Sequence, residues 1–216
     1  MKNDFDPKQI SPQPDFVFAL GLFAIIGCVT FAVSILIADF VVPDHDWISD
    51  TISDLGAGRY EFIVDVGIYA FSASLVSVAL LASHMHLGGW RWSAGVTGLA
   101  LLALIVFLVG ARNEYGDDDS DGVVIHSYLV YALGLLMAFV PWAMSQSVGL
   151  ASAAYGKLLG GIAVIWTLSA PVYFILPTEI DGLYERYLGL ISLVMVIALS
   201  RFFIRMGRNV RPRTQR

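Results

Sequence analysis

Six long apolar runs, separated by short polar breaks, repeat along this chain. They cover about Phe16–Val42, Phe62–Ser83, Ser93–Ala111, Val123–Met144, Leu158–Leu176 and Tyr187–Ile204. A helix needs roughly 20 apolar residues to cross the hydrocarbon core of a bilayer. The pattern therefore predicts an all-α polytopic membrane protein, a single six-transmembrane-helix bundle over residues 1–216. The first run is too long for the apolar region of a signal peptide and follows a stretch of mixed charge, so it reads as a retained helix. Pro141 and Pro171 fall inside the fourth and fifth runs and predict kinks, where neighbouring helices re-satisfy the freed carbonyls. Gly156 and Gly160 form one GxxxG, a spacing that lets helices approach closely.

Composition agrees: 57% of residues are apolar and 14% are charged, where a soluble domain carries about 25% charged residues. Cys28 is the single cysteine, which excludes an intramolecular disulfide, a CxxC pair and a cysteine zinc cluster. His84-Met85-His86 has no acidic or cysteine neighbour in sequence, so no metal site and no cofactor are expected.

Charge adds an orientation. With six spans, one side receives Lys2, Lys8, Arg91, Lys157, Arg201, Arg205, Arg208, Arg211, Arg213 and Arg216, and the other only Arg59, Arg112 and Arg186. The positive-inside rule then places both termini in the cytoplasm of a cell-membrane protein. The opposite face gathers most of the acidic residues, among them Asp44, Asp46, Asp50, Asp54 and the run Asp117 to Asp121. Such a field attracts cations. The basic tail after Phe203 suits anionic headgroups, and nucleic-acid binding is not expected.

The densest polar stretch is the first outer loop, Asp46-Trp47-Ile48-Ser49-Asp50-Thr51-Ile52-Ser53-Asp54-Leu55-Gly56. Ile-Ser-Asp recurs after four residues, and positions four apart share a helical face. The spacing predicts a short interfacial helix with Ile48, Ile52 and Leu55 on one stripe, Asp50 and Asp54 on another, and Gly56 in the left-handed position that ends it. His126 opens the fourth run, and an ionisable residue at a span edge is a candidate for function. Arg112 and Glu114 close the third run, and Glu185-Arg186 open the sixth. Short loops can gather all of these over one mouth.

The Ile-Ser-Asp-Leu-Gly element after the first span, the polar loop leading to a histidine at the fourth, and Glu185-Arg186 at the sixth resemble the prokaryotic membrane family filed as domain of unknown function nine-nine-eight. The resemblance covers nearly the whole chain and implies six spans without implying a reaction. The Ser-Asp-x-Gly element is more distantly similar to the Frag/DRAM/Sfk group, whose eukaryotic members are linked to lipid remodelling, lipid distribution and autophagy. In the prokaryotic family a proline-aspartate pair often precedes the histidine. This chain has Arg112-Asn113-Glu114-Tyr115-Gly116 there, so no role carries over to Asp117 to Asp121.

Three functions compete on these residues. The first is a lipid-interacting or regulatory membrane protein, with membrane lipids as partners and Asp50, Ser53, Asp54, Arg112, His126, Glu185 and Arg186 forming a headgroup site. Its oligomeric state is left open. The second is an intramembrane lipid hydrolase or acyltransferase, with Ser53 or Ser49 as nucleophile, His126 as base, and Asp50 or Asp54 orienting it. No GxSxG elbow or HExxH pair supports it. The third is a small-solute or cation transporter, disfavoured because the spans carry almost no charge near their middles.

The orientation is directly testable. In a Cys28→Ser background, single cysteines at Ser120 and Thr214 should differ: an impermeant thiol reagent added to intact cells labels position 120 and spares 214. The reverse labelling overturns the orientation.

Overall fold

The structure is a computed structural model that describes residues 13–56, 59–111 and 125–210. Its elements are helices α1 (Pro14–Val41), α2 (Ile52–Leu55), α3 (Glu61–Met85), α4 (Trp90–Gly110), α5 (Ile125–Ala151), α6 (Ala153–Ser169) and α7 (Asp181–Val210), with a 3-10 turn over Ala170–Ile175 between the last two. No strand occurs among the described residues. Six helices are long and apolar enough to cross a membrane, the 3-10 turn extending the fifth. This is a multi-pass membrane protein.

Local chemistry sets the ends. Pro14 lies in the first turn of α1, where its missing N–H costs nothing. Val42 is extended because Pro43 follows, which stops that helix. Between α3 and α4 the chain turns through His86, Gly88 and Gly89, all at positive φ. The two prolines behave differently. Pro141 is buried within α5, and the helix runs on to Ala151. At Pro171 the α-helix has already stopped at Ser169 and tightened into the 3-10 turn.

On α1 the buried face is rich in small residues, set among Val17, Phe31 and Ile35. The buried face of α1 includes Gly21, Ala24, Gly27, Cys28, Ser34 and Ala38, while Phe23, Ile26, Val29, Leu36 and Phe40 point outward. The outward large residues face a solvent as apolar as themselves, and the small ones let the helices close up. A Cβ on Gly27 would lie 2.5 Å from the Ala70 carbonyl oxygen of α3. Gly156 touches Gly149 across the α5–α6 turn, whereas a Cβ on Gly160 would meet nothing within 4 Å. Half of the GxxxG is therefore a helix contact.

The helices pack in the order α7, α1, α3, α4, α5, α6, and α6 meets α7 only sparsely. That loose seam lies beside the cavity described below. The carboxyl ends of α1 and α4, the amino ends of α3, α5 and α7, and the 3-10 turn share one end of the bundle with α2.

Because the Ala70 carbonyl belongs to a helix backbone, it cannot retreat as a side chain would. Gly27→Ala should lower stability in detergent by about 1–3 kcal/mol, the range for overpacking a closed core, while Gly160→Ala leaves it unchanged. Equal melting temperatures for the two variants would remove Gly27 as a packing constraint.

Candidate functional site

Two polar clusters form at the α2 end. The first ties α7 to α1 through Arg186, on the second turn of α7. Its Nη2 donates to Asp39 Oδ1 at 2.5 Å, and its Nη1 donates to the backbone carbonyls of Asp50 and Gly182, both at 2.9 Å. The Asp39 and Arg186 side chains are each only 14% exposed. His45, with its side chain 3% exposed, completes the cluster: Nε2 lies 3.1 Å from Asp39 Oδ1 and 3.2 Å from Arg186 Nη2, and Nδ1 lies 3.3 Å from Asp50 Oδ2. One nitrogen cannot serve both neighbours at once. Nε2 accepts from Arg186 when it carries no proton, and donates to Asp39 when it carries one.

Backbone geometry makes the clamp fit. The first N–H groups of α7 have no partner within their own helix, and the loop supplies two: Gly182 N donates to Ser49 O at 3.3 Å and Leu183 N to Ile48 O at 2.9 Å. A Cβ at Gly182 would overlap the Asp50 backbone, so only glycine allows this approach. The Asp46 N–H donates to Asp50 Oδ2 at 2.9 Å. That bond, with the Ser49 hydroxyl and the nearby His45 and Arg186, holds the Asp50 carboxyl below its usual range against an opposing effect of partial burial.

These contacts correct the expected loop helix. Within this loop only Ile52–Leu55 is α-helical, and residues 47–49 form a turn. Asp50 and Asp54 therefore do not sit on one helical face. Asp54 instead closes a capping box: its Oδ2 accepts from Thr51 N at 2.7 Å, and Thr51 Oγ1 accepts from Asp54 N at 3.0 Å. Gly56 has φ −78° rather than the expected left-handed conformation. Ile52 and Leu55 are buried, but Ile48 is exposed.

The second cluster joins three of the expected residues. Ser53 Oγ lies 3.4 Å from His126 Nε2 and 3.5 Å from Glu185 Oε1, while Glu185 Oε2 accepts from Ile52 N at 2.6 Å. His126 is buried at the first turn of α5. All three line a cavity of about 380 Å³ that runs between the helices. Its walls are mostly apolar, with Phe71, Val106, Trp166 and Leu188 among them, and Asp65 of α3 joins the polar side.

The expected residues thus divide three ways. Asp50 and Arg186 belong to the clamp, Ser53, His126 and Glu185 to the cavity, and Asp54 to the cap of α2. Arg112, with Glu114 and Asp117 to Asp121, lies outside the described residues. Asp39, His45 and Asp65 were not expected as site residues. Asp39 carried a signal, as a lone charge near the end of an apolar span. A partner within the bundle is the usual fate of such a charge.

A six-helix bundle with a polar-mouthed cavity at one end defines a class of integral membrane protein. The family model described as Protein of unknown function (DUF998) matches residues 25–201, and the chain belongs to that family. No curated protein and no solved structure matches the chain.

Breaking one side of a buried ion pair leaves the other uncompensated, at a cost of about 3–5 kcal/mol. Asp39→Asn and Arg186→Gln should each destabilise the detergent-solubilised protein strongly, and the double variant by less than their sum. Additive losses in a thermal or denaturant series would show that the two do not act as a pair.

Proposed function

We propose that this is a lipid-binding protein of the cell membrane, oriented with its termini in the cytoplasm and its α2 end outward. The observation that carries the reading is the cavity: apolar walls inside the bundle end on the polar groups of Ser53, His126 and Glu185. Mostly apolar pockets with a few convergent polar groups are the usual form of a small-molecule site. In a bilayer, the apolar part suits a hydrocarbon chain and the polar end a headgroup. The loose packing of α6 on α7 gives a chain room to enter from the side.

Arg186 plays a different part from the one its position implied. Both Nη atoms already bond to Asp39, Asp50 and Gly182, and its Nε is buried with no partner among the described residues. A bidentate phosphate contact would require dismantling the clamp. Arg186 holds the site together and leaves headgroup recognition to the cavity residues.

A second reading, a lipid hydrolase or acyltransferase, draws on the distance between Ser53 Oγ and His126 Nε2. At 3.4 Å it is within the looser range of nucleophile–base pairs without substrate. Glu185 bonds the serine and the Ile52 N–H, so the serine's proton has two acceptors.

Gly134 lines the cavity, and a Cβ there meets nothing within 4 Å, so Gly134→Leu starts its side chain into open space. After matched purification and delipidation, wild type should rebind several-fold more lipid than Gly134→Leu, measured by solvent extraction and mass spectrometry. Equal lipid in both would reject the cavity as a lipid site. The same preparations treated with a fluorophosphonate decide the enzyme reading: labelling of wild type that is lost in Ser53→Ala supports it, and no labelling sinks it.

A further inference from the structure

Asp65 is the charged group on the cavity wall that neither the clamp nor the Ser53 cluster uses. It lies one helical turn into α3, with Glu61 one turn before it and Tyr69 one turn after. The Tyr69 hydroxyl is committed elsewhere, donating to Gly110 O at 3.2 Å. Asp65 is half-buried and has no hydrogen bond or ion pair among the described residues. A carboxylate drawn partly out of water and left unbonded is unfavourable. Its remaining neighbour by charge, Glu61, repels it.

The rest of the wall has the same sign. Glu185 is the second carboxylate, and no lysine or arginine occurs among the described lining residues. Of the cations at this end, Arg186 is held in the clamp, Arg59 lies over the Tyr60 ring, and Arg112 falls outside the described residues. Aromatic groups add to the pattern. Tyr131, Tyr173 and Phe174 line the cavity near its α2 end, with the Tyr131 and Phe174 ring centroids 5.1 Å apart. Aromatic faces attract cations and do nothing for anions.

From these placements we propose that the cavity selects a single-chain amphiphile bearing a protonated amine, with the ammonium at Asp65 and the chain along Phe71, Val106 and Leu188. The proposal rests on the lipid-binding reading above and names its ligand class. A volume of about 380 Å³ lies at the small end of ligand pockets, which run from about 300 to 1,000 Å³, and suits one chain better than two. The ammonium supplies the donors that Asp65 lacks. A phosphate or carboxylate head would meet two carboxylates and gain no such contact.

The test compares three probes that share one chain: dodecylamine, dodecanol and dodecyl phosphate. Each is added to delipidated protein in a neutral detergent at neutral pH, where the amine is protonated, and retention is read by native mass spectrometry. Wild type should retain dodecylamine about tenfold more than dodecanol, the ratio expected for one charge-assisted contact. Asp65→Asn should erase that preference while still holding dodecanol, and Asp65→Glu should keep most of it. Gly134→Leu should lower retention of both. Equal retention of amine and alcohol by wild type, or a preference that survives in Asp65→Asn, overturns the proposal. So does preferential retention of dodecyl phosphate that is lost in Arg112→Ala, which would assign an anion site. If Asp65→Asn does not fold, the wild-type ranking and Asp65→Glu decide. If wild type retains none of the three better than Gly134→Leu does, the lipid-binding reading itself fails.

Discussion

The contact on which the α2 end depends is the one between Arg186 and Asp39. It joins the start of the last membrane helix to the end of the first, so the two extremes of the chain close on each other. A buried ion pair of this kind adds little net stability over a well-packed apolar pair, but it is strict about what stands opposite. Here the guanidinium also holds two backbone carbonyls and meets His45. With α7 fixed, Glu185, the residue before Arg186, reaches Ile52 and Ser53. The clamp and the cavity mouth are thus neighbours on one helical turn, and the first sets the position of the second.

The loop between α1 and α2 shows how a helix end can reshape a segment that would be helical alone. Its carbonyls at Ile48 and Ser49 are taken by the open N–H groups of α7. Once those carbonyls face away, the helix cannot start until Thr51, whose side chain then caps it. The two halves of the repeated Ile-Ser-Asp triplet end in different surroundings. Ser49 and Asp50 join the clamp, while Ser53 faces the cavity and Asp54 closes the cap.

Much of this was legible in the sequence, and what was not has physical causes. The six apolar helices follow from run length alone, because bilayer thickness leaves few alternatives. His126 and Glu185 were legible as candidates from their places at span ends, and Ser53 from the polar loop after the first span. The partner assignments were not. Periodicity put Asp50 beside Asp54 on the assumption that one helix runs through both, and only the approach of Gly182 shows why it does not. Arg186 looked available for a headgroup because a sequence does not display carbonyl acceptors, and two of its bonds go to carbonyls. Asp65 carried no mark in the sequence, since nothing in its spacing says that it lines a cavity.

The burial of small residues on α1 has a consequence for how such a chain records its own structure. Both faces of that helix are apolar, so a hydropathy profile registers the span and is blind to its orientation about its own axis. The information lies in side-chain volume instead. Large residues such as Phe23 and Phe40 can exchange with one another wherever hydrocarbon is the neighbour, whereas Gly27 answers to a carbonyl that cannot move. Drift over time should therefore blur the outward face and preserve the inward one. The inward face of α1 would then be written mostly in small letters.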